Sequence, residues 1–255
     1  MKDLFYRIFR TKAFRMKYYK MRNKQTNKIK GFTLAEVLIT LAIIGVVAAM
    51  TLPALINKTN NAGNVVALKK AYEILSQAFY SIQSDNGGDI TNALSGVANQ
   101  NDFANVFIPK LRVAKFCGKA SSYDTGCFPN TVYTYLNGTN WQNVGYINFF
   151  STLLTNDGMS YAFELDSASC TNDVSSGAKI SSPLYNSCGM IYIDVNGPNK
   201  GPAQMGRDVF GFYINKKGIY PTGTYPDLGN NKCATTGSLG LGCTGKVILE
   251  GAMNY

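Results

Sequence analysis

Lys30-Gly31-Phe32-Thr33-Leu34-Ala35-Glu36, followed by an apolar run from Val37 to Ile56, decides how this 255-residue chain is read. A strongly basic segment ends at Gly31, and the hydrophobic stretch that begins at Phe32 carries one charge, Glu36, near its start. As a helix rising about 1.5 Å per residue, Val37 to Ile56 spans about 30 Å, the hydrocarbon thickness of a bilayer. A lone carboxylate in such a segment costs roughly 2.5–3.5 kcal/mol to insert, so its presence implies a task and a partner. Thr33 and Glu36 also stand at capping-box spacing, where the two side chains satisfy free N–H groups of a helix start. A membrane anchor and a secretory signal with a cleavage site around Ala48-Ala49 are the plainer readings. The second fits poorly, because the apolar stretch exceeds the usual length of about 7–15 residues. Gly45 and Pro53 weaken the helix locally, proline by removing one N–H.

The segment resembles the processing site of type IV prepilins and type II secretion pseudopilins, on Gly31, Phe32, Thr33, Leu34, Glu36, the apolar helix and Pro53. That resemblance implies cleavage by prepilin peptidase between Gly31 and Phe32, and N-methylation of the new Phe32 amine. Glu36, then the fifth residue of the mature chain, pairs in this scheme with the N-terminal ammonium of an adjoining subunit. Pro53 matches by position a proline associated with local helix melting in packed filaments; a tolerated kink in a membrane helix is the alternative. The implied partners are prepilin peptidase, other pilin or pseudopilin subunits, the inner-membrane assembly platform and the membrane itself. The implied location is the inner membrane, single-pass with the N-terminus in the cytoplasm and the head outside it, and then a filament. Secretion pseudopilus, type IV pilus and DNA-uptake pilus stay open, as does major or minor subunit. The rival is a membrane-anchored extracytoplasmic binding protein or adhesin that enters no filament.

Charge is distributed accordingly. Eleven of the 25 Lys and Arg residues but one of the 15 acids precede Gly31, so residues 32–255 carry 14 of each. The basicity therefore belongs to the leader, where it obeys the positive-inside rule, and the neutral remainder gives no reason to expect nucleic acid as a partner. A leader of 31 residues is long for the family; Met16 and Met21 are alternative starts to Met1. Residues 4–20 interleave aromatics with bases, a pattern suited to an anionic membrane surface.

Four segments are expected: a cleaved basic leader (1–31), a transmembrane or filament-core helix half (32–56), an amphipathic helix half (57–84) and an extracytoplasmic head (85–255). In the second half Val65, Leu68, Tyr72, Leu75, Phe79 and Ile82 recur at helical spacing as one stripe, with Lys69, Lys70, Glu73, Gln77 and Gln83 away from it. Asp85-Asn86-Gly87-Gly88 ends the helix. In the head a short helix is expected over Asp102–Phe116. Strands are expected at Thr131–Leu136, Met159–Leu165, Met190–Val195, Val209–Ile214 and Lys246–Leu249, separated by turn clusters. The fold class is α+β and pilin-like: one long N-terminal helix covering an antiparallel sheet with disulfide-tied loops.

All six cysteines, Cys117, Cys127, Cys170, Cys188, Cys233 and Cys243, lie beyond the membrane segment. An even set on one side of a membrane points to disulfides; zinc is disfavoured because the chain holds no CxxC pair and no histidine. Fifteen pairings are open, the sequential one closing three local loops. The loop from Asp194 to Asp208, with Asn196 and Asn199 between them, offers oxygen ligands for a hard cation such as calcium and looks like the calcium loop of major pseudopilins, which leans towards secretion. Asp-x-Asn-Gly as plain turn chemistry is the alternative. Catalysis finds little footing. Without histidine neither a Ser-His-Asp nor a Cys-His arrangement can exist, and Glu164 with Asp166 reads as a solvated strand face, alternate side chains pointing outward.

Overall fold

Thr33 opens the long helix. Its hydroxyl accepts from the Glu36 N–H at 3.2 Å, while Glu36 Oε2 accepts from the Thr33 N–H at 2.8 Å and from the Thr33 hydroxyl at 2.9 Å. This closes a reciprocal capping box. Helix α1 then runs Leu34–Asp85, 52 residues with Pro53 inside it. Gly87 and Gly88 take positive φ, and the Gly88 N–H bonds the Gln83 carbonyl at 2.8 Å, ending the helix where the glycines occur. The structure, a computed structural model, describes residues 31–119, 126–128, 132–141, 149–175, 182–225, 233–234 and 237–255; the leader over 1–30 lies outside them.

The chain separates into two units, residues 1–50 and 51–255. The second holds the core. After short α2 (Ile90–Ala93) and α3 (Gln100–Phe107) come β1 (Val113–Lys119), β2 (Ser151–Thr155), β3 (Ser160–Leu165), β4 (Ser187–Asp194), β5 (Val209–Asn215), β6 (Gly218–Pro221) and α4 (Cys243–Glu250). The six strands form one antiparallel sheet in chain order. Against one face pack Leu68, Leu75 and Phe79 of α1 and Phe103 and Phe107 of α3, meeting Phe163, Ile191, Phe210 and Phe212, all excluded from solvent. Each such side chain contributes about 1.5–3 kcal/mol by burial. The opposite face is covered as well, by Phe128, Tyr133, Phe150 and Met205 over Ala162 and Tyr192.

Three expectations change. The helix expected over Asp102–Phe116 is shorter and starts earlier: Asn99 caps the N–H groups of Asn101 and Asp102, and after a 3-10 turn at Ile108–Lys110 containing Pro109 the chain enters β1. Lys246–Leu249, expected as a strand, lies in α4. A short apolar run carries no period that separates helix from strand. Here Gly251, at φ 67°, caps a helix whose Val247 is buried, and Cys243 at its start is tied to Cys233. Of Thr131–Leu136, Thr131 is outside the described residues. The rest forms no strand; Thr134 makes isolated bridges to Asn140 and Gln204. Expected strands at Met159–Leu165, Met190–Val195 and Val209–Ile214 are β3, β4 and β5, whereas β1, β2 and β6 carry too weak an alternation to be read in advance.

Candidate functional site

Two places carry chemistry. The first is the start of α1. Gly31, Phe32 and Thr33 precede the helix in irregular backbone, with Phe32 85% exposed. Glu36 sits one turn in, held by Thr33. From Val37 to Ile56 every large aliphatic side chain of the helix is exposed, Leu41 at 60% and Ile44 at 63% among them. This is the one helix among the described residues long and apolar enough to cross a membrane. An unbroken apolar surface of that length is stable only against lipid or other protein.

The second is the loop between β4 and β5, which brings Asp194, Asn196 and Asp208 together. Asp194 closes β4 and Asp208 precedes β5; both are fully buried. Asp194 Oδ1 accepts from the Gly197 N–H at 3.0 Å, and its Oδ2 accepts from the Tyr133 hydroxyl at 2.6 Å. Asp208 accepts from the Ala203 N–H at 2.7 Å, the Gln204 N–H at 2.6 Å and, at 3.4 Å, Asn196 Nδ2. Gly197 is required by space as well as by its φ of 84°, since a Cβ there would stand 1.9 Å from the Gly158 carbonyl oxygen. Asn199 lies in the same loop with a φ of 70°. From α1, Asn64 Nδ2 bonds the Arg207 carbonyl at 3.1 Å.

No ion pair among the described residues reaches either aspartate. Burial first, and then the charge of Asp208, push the Asp194 carboxyl up to about 7; burial likewise raises Asp208. Asn196 Oδ1 is buried and has no hydrogen-bond partner among the described residues. Two buried carboxylates and an orphaned amide oxygen form a donor set suited to a hard cation, with backbone carbonyls to add. No cluster of three His, Cys, Asp or Glu side chains exists among the described residues. Tyr133 escapes a reading of sequence, because it lies 61 positions before its partner and nothing local marks it.

The remaining candidates fall elsewhere. Cys117 bonds Cys127, Cys170 bonds Cys188 and Cys233 bonds Cys243, with Cα separations of 6.2, 3.9 and 4.7 Å. Glu164 lies on the sheet face away from α1, level with Met190. The solvated face expected here holds for Asp166, which is exposed, but not for Glu164, which is half-buried; burial and then the Asp166 charge raise it to about 7. Tyr192 on the same face lies within its electrostatic reach, and no hydrogen bond to the Glu164 side chain is made among the described residues.

Comparison with known proteins is confined to the N-terminal end. No curated protein and no solved structure matches the chain. The family described as the prokaryotic N-terminal methylation motif matches residues 26–52, which span Gly31, Phe32, Glu36 and most of the exposed apolar helix. The motif implies processing by prepilin peptidase, assembly with other pilin subunits and a membrane-anchored protein, and proteins that carry it are structural subunits. Its long helix, antiparallel sheet and disulfides have the layout of a pilin, and the chain carries the signature segment of type IV prepilin-like proteins.

Proposed function

We propose that this chain is a structural subunit of a filament assembled from the inner membrane, a type II secretion pseudopilus or a type IV pilus. The observation that carries it is the exposed apolar half of α1, preceded by a single carboxylate inside a matched methylation motif. The precursor is held with residues 1–31 in the cytoplasm and is cut between Gly31 and Phe32, and Phe32 is N-methylated. Glu36 exchanges its bonds to Thr33 for the ammonium of a neighbouring Phe32. Breaking such a buried pair from one side costs on the order of 3–5 kcal/mol. Residues 32–56 then pack among their copies, while 57–84 and the head from 85 onward stay outside the core.

Asp194, Asp208 and Asn196 Oδ1 are the residues that would hold calcium, which would supply charge neutralisation and tie β4 to β5. The burial of both carboxylates, to which no ion pair among the described residues reaches, and the amide oxygen without a hydrogen bond among them support this part.

The deciding experiment is mass spectrometry of the N-terminus of membrane-extracted protein. A chain beginning at N-methyl-Phe32 is the expected result. A chain retaining Lys30 and Gly31, or cut near Ala49, overturns the filament reading in favour of an anchored or secreted binding protein.

A further inference from the structure

Ser160 opens β3 fully excluded from solvent, and its Oγ has no hydrogen-bond partner among the described residues. A buried hydroxyl in that state has given up water and gained nothing in return. The other buried hydroxyls of this region are used. Ser151 bonds Asn101, Thr152 bonds the Gly118 carbonyl, and Thr155 bonds Asp157. Among the described residues the buried side-chain oxygens left over are Ser160 Oγ and Asn196 Oδ1.

The sheet brings both to one place. Ser160 stands directly opposite Asp194 in the β3–β4 ladder, and Asp194 stands opposite Val209 of β5. Facing residues of a ladder share a face, here the outer one, where the next pair along, Ala162 and Tyr192, lies under Tyr133 and Met205. On the other flank of Ser160 is Leu154, whose side chain offers no polar atom. The Asp194 carboxylate is therefore the polar side chain next to this hydroxyl across the ladders. Asn196 begins the loop two residues beyond Asp194, and its Nδ2 reaches Asp208 at 3.4 Å. The turn before Ser160 is pressed on the same loop, since a Cβ on Gly197 would stand 1.9 Å from the Gly158 carbonyl oxygen.

We propose that Ser160 Oγ is a further ligand of the calcium site, supplied by β3 from outside the β4–β5 loop. The assignment rests on the calcium reading of Asp194, Asp208 and Asn196, and adds a neutral oxygen from a third strand. Facing Cβ atoms about 4.5–5.5 Å apart leave a hydroxyl and a carboxylate within reach of one ion whose ligands stand at about 2.3–2.6 Å. Calcium takes about 6–8 oxygens, more than two carboxylates and one amide provide. A hydroxyl raises that number without burying another charge. A site built this way joins β3 to β4 and to the segment before β5. It also braces the β2–β3 turn, whose Asp157 is paired with Lys70 of α1 at 2.8 Å.

The test is Ser160→Ala in the full-length, detergent-extracted chain, treated with EDTA and then titrated with calcium chloride. Trp141 emission and the melting temperature follow the titration. Calcium affinity is expected to fall by about tenfold or more. The calcium-free variant is expected to melt no lower than the parent, because alanine removes an unpaired buried hydroxyl and little volume. A serine that serves packing alone cannot give both results. Terbium(III), a luminescent hard cation that also prefers oxygen, gives a second readout. Its decay rates in H2O and D2O count the waters on the bound ion, a number expected to rise by about one in the variant. A variant that binds calcium like the parent, or that leaves the water count unchanged, overturns the Ser160 ligand while the calcium reading stands. A calcium-free variant melting well below the parent assigns Ser160 to packing and overturns it too. A parent chain that binds neither calcium nor terbium overturns both readings.

Discussion

The Tyr133 hydroxyl donates a 2.6 Å hydrogen bond to Oδ2 of Asp194, joining the outer cover of the sheet to the last residue of β4. The same stretch is strapped to the loop by its backbone. The Thr134 N–H bonds the Ala203 carbonyl at 3.0 Å and the Met205 N–H bonds the Thr134 carbonyl at 2.8 Å. Trp141, the single tryptophan, has its ring centroid 6.3 Å from that of Tyr133. Hydrogen bonds and ring contacts therefore tie the loop to the aromatic cluster.

If calcium binds this loop, adding it to EDTA-treated protein raises the melting temperature. At one hundred times Kd the gain is about 2.7 kcal/mol, roughly 5–10 °C for a head of this size. Trp141 emission changes over the same titration. Asp208→Ala is expected to abolish both responses; calcium-independent melting of the parent would sink the cation assignment.

Glu36→Gln is expected to leave cleavage after Gly31 unchanged while reducing assembled filament by at least about a hundredfold, from loss of roughly 3 kcal/mol or more per contact. Terminal mass spectrometry and shearing assays separate the two effects. Intact filaments in the variant would exclude the pairing of Glu36 with a neighbouring amine.

Glu164 gives a pH dependence of definite sign. A carboxyl raised to about 7 in the folded chain stabilises the fold while protonated. That contribution is complete below an unfolded value of about 4.3 and is lost as pH rises through about 7. Glu164→Gln should therefore leave the melting temperature unchanged near pH 4 and raise it by roughly 2–4 °C at pH 8, about 1 kcal/mol after solvent screening. An equal shift at both pH values would remove the charge explanation.

Gly189 in β4 admits no side chain, because a Cβ would stand 2.1 Å from the Glu164 carbonyl oxygen and 3.1 Å from the Phe103 ring. Backbone on the neighbouring strand cannot retreat without breaking the ladder. Gly189→Ala is expected to cost about 1–3 kcal/mol, measured by denaturant melts. A neutral result would show that β3 and β4 can separate locally.

Removing the Cys170–Cys188 bond by paired serine substitution should cost about 2–4 kcal/mol. Both cysteines are buried, and the bond ties the loop after β3 back to β4 across a separation of 18 residues. Equal denaturation midpoints for the parent and the paired-serine protein would contradict this.

Local patterns in the chain were sufficient for the long helix. The Thr33/Glu36 cap, the apolar run and the Val65-to-Ile82 stripe act between residues three or four apart, and Asp85-Asn86-Gly87-Gly88 supplies the stop. The same is true of β3, β4 and β5, whose apolar content is dense. Where order depends on partners far along the chain, sequence was silent or misleading. Lys246–Leu249 suits strand and helix equally by composition, and becomes helix because the Cys243 bond, the burial of Val247 and the Gly251 cap hold it so. Strands β1, β2 and β6 exist through pairing with neighbours, and the choice among fifteen cysteine pairings was made by which Cα atoms the sheet brings within bonding range. The loop shows the division most clearly. Asp194, Asn196 and Asp208 were legible as oxygen donors. Their full burial, the unsatisfied Asn196 Oδ1 and the hydrogen bond from Tyr133 were decided by tertiary structure alone, since burial and long-range hydrogen bonds have no local period for a sequence to display.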